Sequence, residues 1–270
     1  MMEHGEPICV RQGERPLFRL LKASASMGIS LALAGHRFTV NALDGNLVQT
    51  PVAVSTLELD VAERVDAIVE MNNPGAWILG STDDKDRDMG MGVVVEYADR
   101  TGEPQWIAPP KATWDHTAFG RSMLAPAPDV SIDLKVRAGT RRARRLQPVD
   151  HQRQDVADTN PLFTVQRGKR NRLVMNNDSG DELPVHIRRH SFEVTNVGDQ
   201  PTSGVIKETI SMPRFSTAEI DLVVDDPGTL FHCHHQDHMD EGFAGPIVYA
   251  LERRPIVLHG SASLCPCAPC

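Results

Sequence analysis

His232, Cys233, His234 and His238 fall within seven positions of the run Phe231-His232-Cys233-His234-His235-Gln236-Asp237-His238-Met239-Asp240-Glu241-Gly242-Phe243. Thiolate and imidazole donors this close together point to a bound transition metal. Successive side chains of a strand point to opposite faces, so His232 and His234 share one face and Cys233 points to the other. A metal held by Cys233 would lie behind one held by the two histidines, joined through a few covalent bonds of one backbone. A turn at Gln236-Asp237 would return His238 to the Cys233 side. Cysteine and histidine in a trigonal site with a weak or absent axial ligand form the blue-copper electron-transfer arrangement. The axial position falls on Phe243, which cannot coordinate, so Cu(I) is favoured and the potential should be high. Zinc takes the same donors. Structural zinc needs four converging ligands, however, and strand alternation divides these between two faces. Copper is the expected metal, with zinc and simple packing as the alternatives.

A second group of candidates lies upstream in Leu183-Pro184-Val185-His186-Ile187-Arg188-Arg189-His190-Ser191-Phe192. His186 and His190 are an even number of residues apart, so in a regular strand they would face the same way. Taken alone, a histidine in a half-buried strand is more often a hydrogen-bonded core residue than a ligand. Its interest here comes from lying upstream of the His-Cys-His strand.

The elements that must position these residues are short strands, and they occur twice. Pro74-Gly75-Ala76-Trp77 precedes Pro227-Gly228-Thr229-Leu230 by 153 positions, and the same offset relates Gly92-Val93-Val94-Val95 to Gly245-Pro246-Ile247-Val248. It also relates Arg19-Leu20-Leu21 to Arg172-Leu173-Val174, while an offset of 154 relates His36 to Val40 with His190 to Val194. Two related domains follow. The first copy shows β-branched, often alternating stretches at Phe38 to Val40, Glu58 to Val61, Val65 to Glu70 and Val93 to Tyr97. Turn signals such as Asp44-Gly45-Asn46 separate them. The second copy repeats this at Leu162 to Val165, Arg172 to Met175, Phe192 to Val197, Glu219 to Val224 and Thr229 to His234. No long stretch has helical periodicity. The fold expected is all-β, with two Greek-key sandwich or barrel domains. The expected boundaries are residues 1–100 for a first domain without metal ligands, partial at its N-terminus, and 131–255 for the metal-binding domain. The proline-rich stretch 101–130 would link them along a surface, and a Cys/Pro tail would occupy 256–270.

Composition narrows the partners. A chain of 270 residues, 40% hydrophobic and 24% charged, has the balance of a globular protein. The net charge of −8 argues against a nucleic-acid binder. The basic run Arg137, Arg141, Arg142, Arg144 and Arg145 is expected to be a solvated loop. No stretch approaches the ~18 apolar residues of a membrane span, and Met1 to Arg15 show no apolar signal-peptide core. The five cysteines are Cys9, Cys233, Cys265, Cys267 and Cys270. Three of them crowd the end, which suits a frayed tail better than a disulfide framework.

At His232 to Phe243 the sequence resembles the multicopper oxidases, whose terminal signature is His-Cys-His, three residues, His, three residues, Gly and an apolar residue. The phrase Gly35 to Gly45, Glu63-Arg64-Val65-Asp66 and the Pro-Gly-x-Trp turn resemble the family's middle domain. The resemblance covers roughly residues 15–100 and 160–250. It implies cupredoxin domains and a laccase-like oxidase, which takes electrons singly from phenolic or metal-ion reductants and reduces dioxygen to water. It places Cys233 and His238 at type 1 copper, His232 and His234 at type 3 positions and His186 at the type 2 position. The electron path would run through Cys233 to His232 and His234. The family's upstream motif, His-Pro-x-His-x-His, has lost its first histidine to Leu183 and its last to Arg188. Arg188 is a permanent cation with no lone pair. The family's first domain contributes two His-x-His motifs, and here the pattern occurs only at 232–234. The first copy carries Leu79, Gly80, Ser81 and Lys85 where the second has His232, Cys233, His234 and His238. A missing N-terminal domain or another subunit is thus expected to complete the cluster. The alternative is a non-catalytic or degenerate cupredoxin protein with residual copper binding. Relatives are commonly exported, which implies a periplasmic or secreted protein.

Overall fold

The computed structural model describes residues 6–100, 102–111, 114–121, 124–137, 146–148, 161–224 and 229–250. Cys265, Cys267 and Cys270, the arginines at 141, 142, 144 and 145, and the Pro227-Gly228 turn lie outside these residues.

The chain is all-β, as the alternating patterns predict. In the first half the strands are β1 (Ile8–Val10), β2 (Leu17–Leu21), β3 (Ile29–Leu33), β4 (Phe38–Leu43) and β5 (Asn46–Val54). They continue with β6 (Leu57–Leu59), β7 (Arg64–Val69), β8 (Ala76–Ser81) and β9 (Gly92–Tyr97). The second half adds β10 (Val130–Arg137), β11 (Leu146–Pro148), β12 (Phe163–Gln166), β13 (Arg170–Asp178), β14 (Leu183–Ile187) and β15 (Phe192–Val197). It ends with β16 (Gln200–Lys207), β17 (Thr209–Met212), β18 (Ser216–Val223), β19 (Thr229–Cys233) and β20 (Ala244–Ala250). Two five-residue helices, α1 (Asp84–Asp88) and α2 (Gln236–Asp240), follow β8 and β19. Among the described residues no helix is long and apolar enough to cross a membrane.

The internal repeat is a repeat of topology. The first half forms sheets in the orders β1-β9-β8-β3-β6 and β2-β7-β4-β5. The second forms β12-β20-β19-β14-β17 and, after β11-β10, the run β13-β18-β15-β16. Adding eleven to each strand number of the first half reproduces the second half's order. Even the irregularities match, because the register shifts between Val40 and Ala42 in β4 and between Val194 and Asn196 in β15. These are Greek-key sandwiches whose facing sheets bury alternate residues. In β7, Val65, Ala67 and Val69 are buried while Arg64, Asp66 and Ile68 are less so. In the second half Phe192, Val194, Ile220, Leu222, Phe231, Phe243 and Ile247 fill the core.

The two halves meet through β5 and β16. Between them sits a 3₁₀ turn, His116–Phe119, capped by the Asp115 side chain. Thr50 donates to the Gly120 carbonyl at 3.3 Å, and Arg121 N donates to Ser203 O at 2.9 Å. Gly120 is required here because a Cβ would overlap Thr202 and Ser203. The segment before it runs along the first half, with Gln105 exchanging backbone hydrogen bonds with Ala76 and Ile78 at 2.9 and 3.0 Å.

β19 is the third of five strands in its sheet, flanked by β20 and β14. That central, doubly paired position gives its side chains a rigid base. α2 then turns the chain back over the strand's end.

Candidate metal centre

The pairing of β14 with β19 builds the first donor set. His186 lies opposite His232 and Val185 opposite Cys233. Directly opposed residues share a face, so His186 joins His232 and His234, while Val185, Leu183 and Cys233 lie behind them. The ring centroids are 5.3 Å apart for His186 and His232, 4.9 Å for His186 and His234, and 4.8 Å for His232 and His234. One nitrogen from each of the three rings falls within 4.8 Å of the others.

The second set lies on the other face. Cys233 is fully buried, and its Sγ stands 3.3 Å from His238 Nδ1. The turn that returns His238 begins earlier than the Gln236-Asp237 step predicts. His235 caps α2, and His238 N donates to His235 O at 3.1 Å. The backbone closes the loop, since Phe243 N donates to His238 O at 2.8 Å and Cys233 N donates to Phe243 O at 3.1 Å. The Phe243 ring is buried and stacks on Phe231, with centroids 6.3 Å apart. In the first half, α1 occupies the place of α2. There Ser81 donates to Asp86 at 2.9 Å, a polar turn with no donor set like that beside Cys233.

One expectation fails. His190 does not join His186, because β14 ends at Ile187 and Arg189 takes a left-handed φ of 63°. The strand breaks, His190 Nδ1 meets the Arg188 carbonyl at 2.9 Å, and its Nε2 lies 3.5 Å from Tyr249 Oη. Counting by twos needs a continuous strand. Here it stops at Ile187, three residues before His190.

The imidazoles of the first set are poised as neutral donors. Burial lowers the pKa of His186, with the charge of His232 adding to the effect. Burial also lowers that of His232, and Arg188 contributes in the same direction. His234 falls to about 4, through burial first and then through the charges of His186 and His232. Neutral imidazole is the form that ligates. Arg188 is therefore close enough to be felt electrostatically by the histidines, and its guanidinium opposes any cation placed among them.

Behind the site is a support that sequence patterns do not show. Asp44 Oδ2 accepts the backbone N–H groups of Glu208 and Thr209, each at 3.0 Å, and Glu208 O lies 2.6 Å from His186 Nδ1. A carbonyl on one ring nitrogen orients the imidazole and presents the other to a metal. Asp44 itself is read in sequence only as part of a turn, which it is, with φ 50°. The reach of its carboxylate into the other half has no local signature.

Two family patterns, both described as multicopper oxidase, match residues 5–97 and 125–252. The multicopper oxidase MmcO of Mycobacterium tuberculosis is 27% identical over 248 residues, covering 89% of this chain and 47% of that protein. Bilirubin oxidase of Albifimbria verrucaria is 26% identical over 257 residues, covering 82% of this chain and 42% of that protein. The chain thus spans about half the length of the curated relatives it matches. The fold is shared with the laccase from Botrytis aclada, at a TM-score of 0.70 and 16% identity, over 91% of this chain and 53% of that one. It is shared also with a multicopper oxidase from Campylobacter jejuni described as a metallo-oxidase, at a TM-score of 0.64 and 17% identity, over 90% and 55%. The chain belongs to the multicopper oxidase family, whose cofactor is copper.

Proposed function

We propose that this chain is the electron-transfer and partial oxygen-reducing unit of a laccase-like oxidase, with Cys233 and His238 at type 1 copper. His232 and His234 take type 3 positions and His186 the type 2 position. The observation that carries this reading is the pair of donor sets on opposite faces of β19, joined through the backbone of His232-Cys233-His234. The donors suit copper, since thiolate and imidazole are its preferred ligands. Copper bound there would supply one-electron redox chemistry, coupling oxidation of a phenolic or metal-ion reductant to reduction of dioxygen to water.

The protein's own contribution is positional. Burial of Cys233 among Phe231, Phe243 and Val185 excludes water from the thiolate. The Asp44-supported carbonyl of Glu208 fixes His186. The remaining ligands of a full cluster would come from a further domain or another subunit. We place the ligand-free domain at 1–100 and the copper-binding domain at 131–255, joined by 101–130.

A second reading is copper binding without dioxygen reduction. It is favoured by Arg188, whose charge acts on His232 and His234. Copper loading with metal counting, visible and EPR spectra and oxygen uptake separates the two. Oxygen consumption with several coppers per chain establishes the oxidase, whereas bound copper with no uptake establishes the second reading. Removing the opposing charge tests the same point from the protein's side. Arg188→Leu, which removes the charge without adding a donor, should tighten copper binding by the three-histidine set roughly tenfold or more, the scale of one relieved charge contact. Competition titration against a chelator measures this, and an unchanged affinity rejects the role given to Arg188.

A further inference from the structure

The family pattern places an imidazole beside the cysteine at the position of Leu183. Leu183 is buried at the start of β14, on the Cys233 face, and has no donor atom. Cys233 and His238 alone would leave a trigonal copper one ligand short.

His235 lies where that ligand is needed. Its ring centroid is 4.9 Å from that of His238. One of its nitrogens, Cys233 Sγ and a His238 nitrogen all stand within 4.8 Å of one another. Bonds of about 2.3 Å to sulfur and about 2.0 Å to nitrogen hold donors of one ion up to roughly 4 Å apart. The three donors therefore need to draw together by less than about 1 Å to share one ion.

The ring is held in place from outside. His235 is the N-cap residue of α2, yet its side chain makes no capping bond. Its Nε2 instead meets Asp60 Oδ1 at 3.3 Å. Asp60 follows β6 in the first half, and it is buried. Ser211 donates to its Oδ2 at 2.6 Å and Val61 N donates to its Oδ1 at 2.8 Å. The next residue is anchored as well, since Gln236 N donates to Ala25 O at 3.0 Å. A carboxylate on the outer nitrogen of a metal-bound imidazole fixes its tautomer and raises its basicity.

We propose that His235 replaces the imidazole lost at Leu183, ligating copper through Nδ1 beside Cys233 and His238 while Asp60 accepts from its Nε2–H. The proposal rests on the copper reading of Cys233 and His238 given above. It adds a ligand from the cap of α2 and a carboxylate from the other half of the chain.

The test uses the whole chain loaded with Cu(II) without oxygen. Subtracting the spectrum of Cys233→Ser isolates the thiolate-to-copper band of Cys233 from any due to other cysteines. In His235→Gln the amide N–H can still donate to Asp60, so the anchor survives while the imidazole is lost. The band should then shift or lose most of its intensity, and copper affinity at that site should fall at least tenfold. Adding Leu183→His in the same chain should restore both. If His235→Gln leaves band, EPR hyperfine splitting and affinity as in the wild type, His235 is not a ligand and the copper reading of Cys233 and His238 still stands. If the wild type itself shows no such band, that underlying reading fails and this proposal with it. Should circular dichroism show His235→Gln unfolded, Asp60→Asn serves in its place. About tenfold weaker copper binding with an altered EPR spectrum is expected, and unchanged values overturn the proposal.

Discussion

Replacing Lys207 with methionine is expected to destabilise the folded chain by about 3–5 kcal/mol, the range for stripping one partner from a buried ion pair. Lys207 ends β16 with its side chain only 1% exposed, and its Nζ lies 3.4 Å from Asp44 Oδ2 and 3.2 Å from Glu63 Oε1. Both carboxylates belong to the first half and the cation to the second, so the cluster joins the two across their interface. Burial works against the ammonium, yet Asp44 and Glu63 together hold its pKa above the ordinary lysine value. Methionine fills similar space but leaves the two buried carboxylates without their cation. Asp44 keeps three backbone donors, from Arg64, Glu208 and Thr209. Glu63, whose pKa burial already pushes up, would take a proton. Because folded domains are stable by only about 5–15 kcal/mol, the loss is a large fraction of the whole. Denaturant titration followed by tryptophan fluorescence measures it. Adding Glu63→Gln to Lys207→Met should recover part of the loss. A midpoint unchanged by Lys207→Met would mean that the carboxylates find another cation or water, and the cluster would not be the clamp described.

What was legible in the sequence was whatever is local and periodic. The strands with alternating β-branched residues, the Asp44-Gly45 turn and the 153-residue repeat all reappear. The His-Cys-His spacing foretold the two faces of β19, because alternation is a property of the backbone and needs no tertiary information. Where the backbone departs from regularity, spacing no longer tells which residues share a face. The even spacing of His186 and His190 puts them on one face only in a regular strand, and the left-handed Arg189 breaks that regularity. Arg189 has no glycine-like signal, so the break is invisible in one sequence. Long-range carboxylates were equally hidden. Asp60 and His235 are 175 positions apart, and Asp44 and Thr209 are 165 apart. Only folding brings them together. The departures at Leu183 and Arg188, by contrast, were plain in sequence. Their consequence was not, because it depends on His235 standing beside His238 and on Arg188 being felt at His232.

Acid should weaken the fold through His116. His116 is buried at the junction of the halves, and its pKa is pushed down to about 3, first by burial and then by the charge of Lys207. It lies 3.8 Å from Glu63, a geometry that suggests an ion pair. The hydrogen bonding argues otherwise, because Trp114 Nε1–H donates to His116 Nε2 at 3.2 Å. A nitrogen that accepts carries no proton, so the ring is neutral and the contact with Glu63 is not a salt bridge. In the unfolded chain the same histidine titrates near 6.5. Between pH 6.5 and about 3 the unfolded state therefore binds the extra proton, and stability falls as pH falls through that window. At one pKa unit per 1.36 kcal/mol, lowering the pH from 7 to 5 costs about 2 kcal/mol from this group. His116→Gln offers Trp114 an acceptor and cannot titrate, so it should lose about 2 kcal/mol less than the wild type over that interval. His234, Asp44 and Glu63 titrate in both chains, so the difference isolates His116. Denaturation midpoints of both chains at pH 7 and pH 5 give the comparison. Equal losses would show that His116 is protonated in the fold, and the contact with Glu63 would then be the ion pair that its distance suggests.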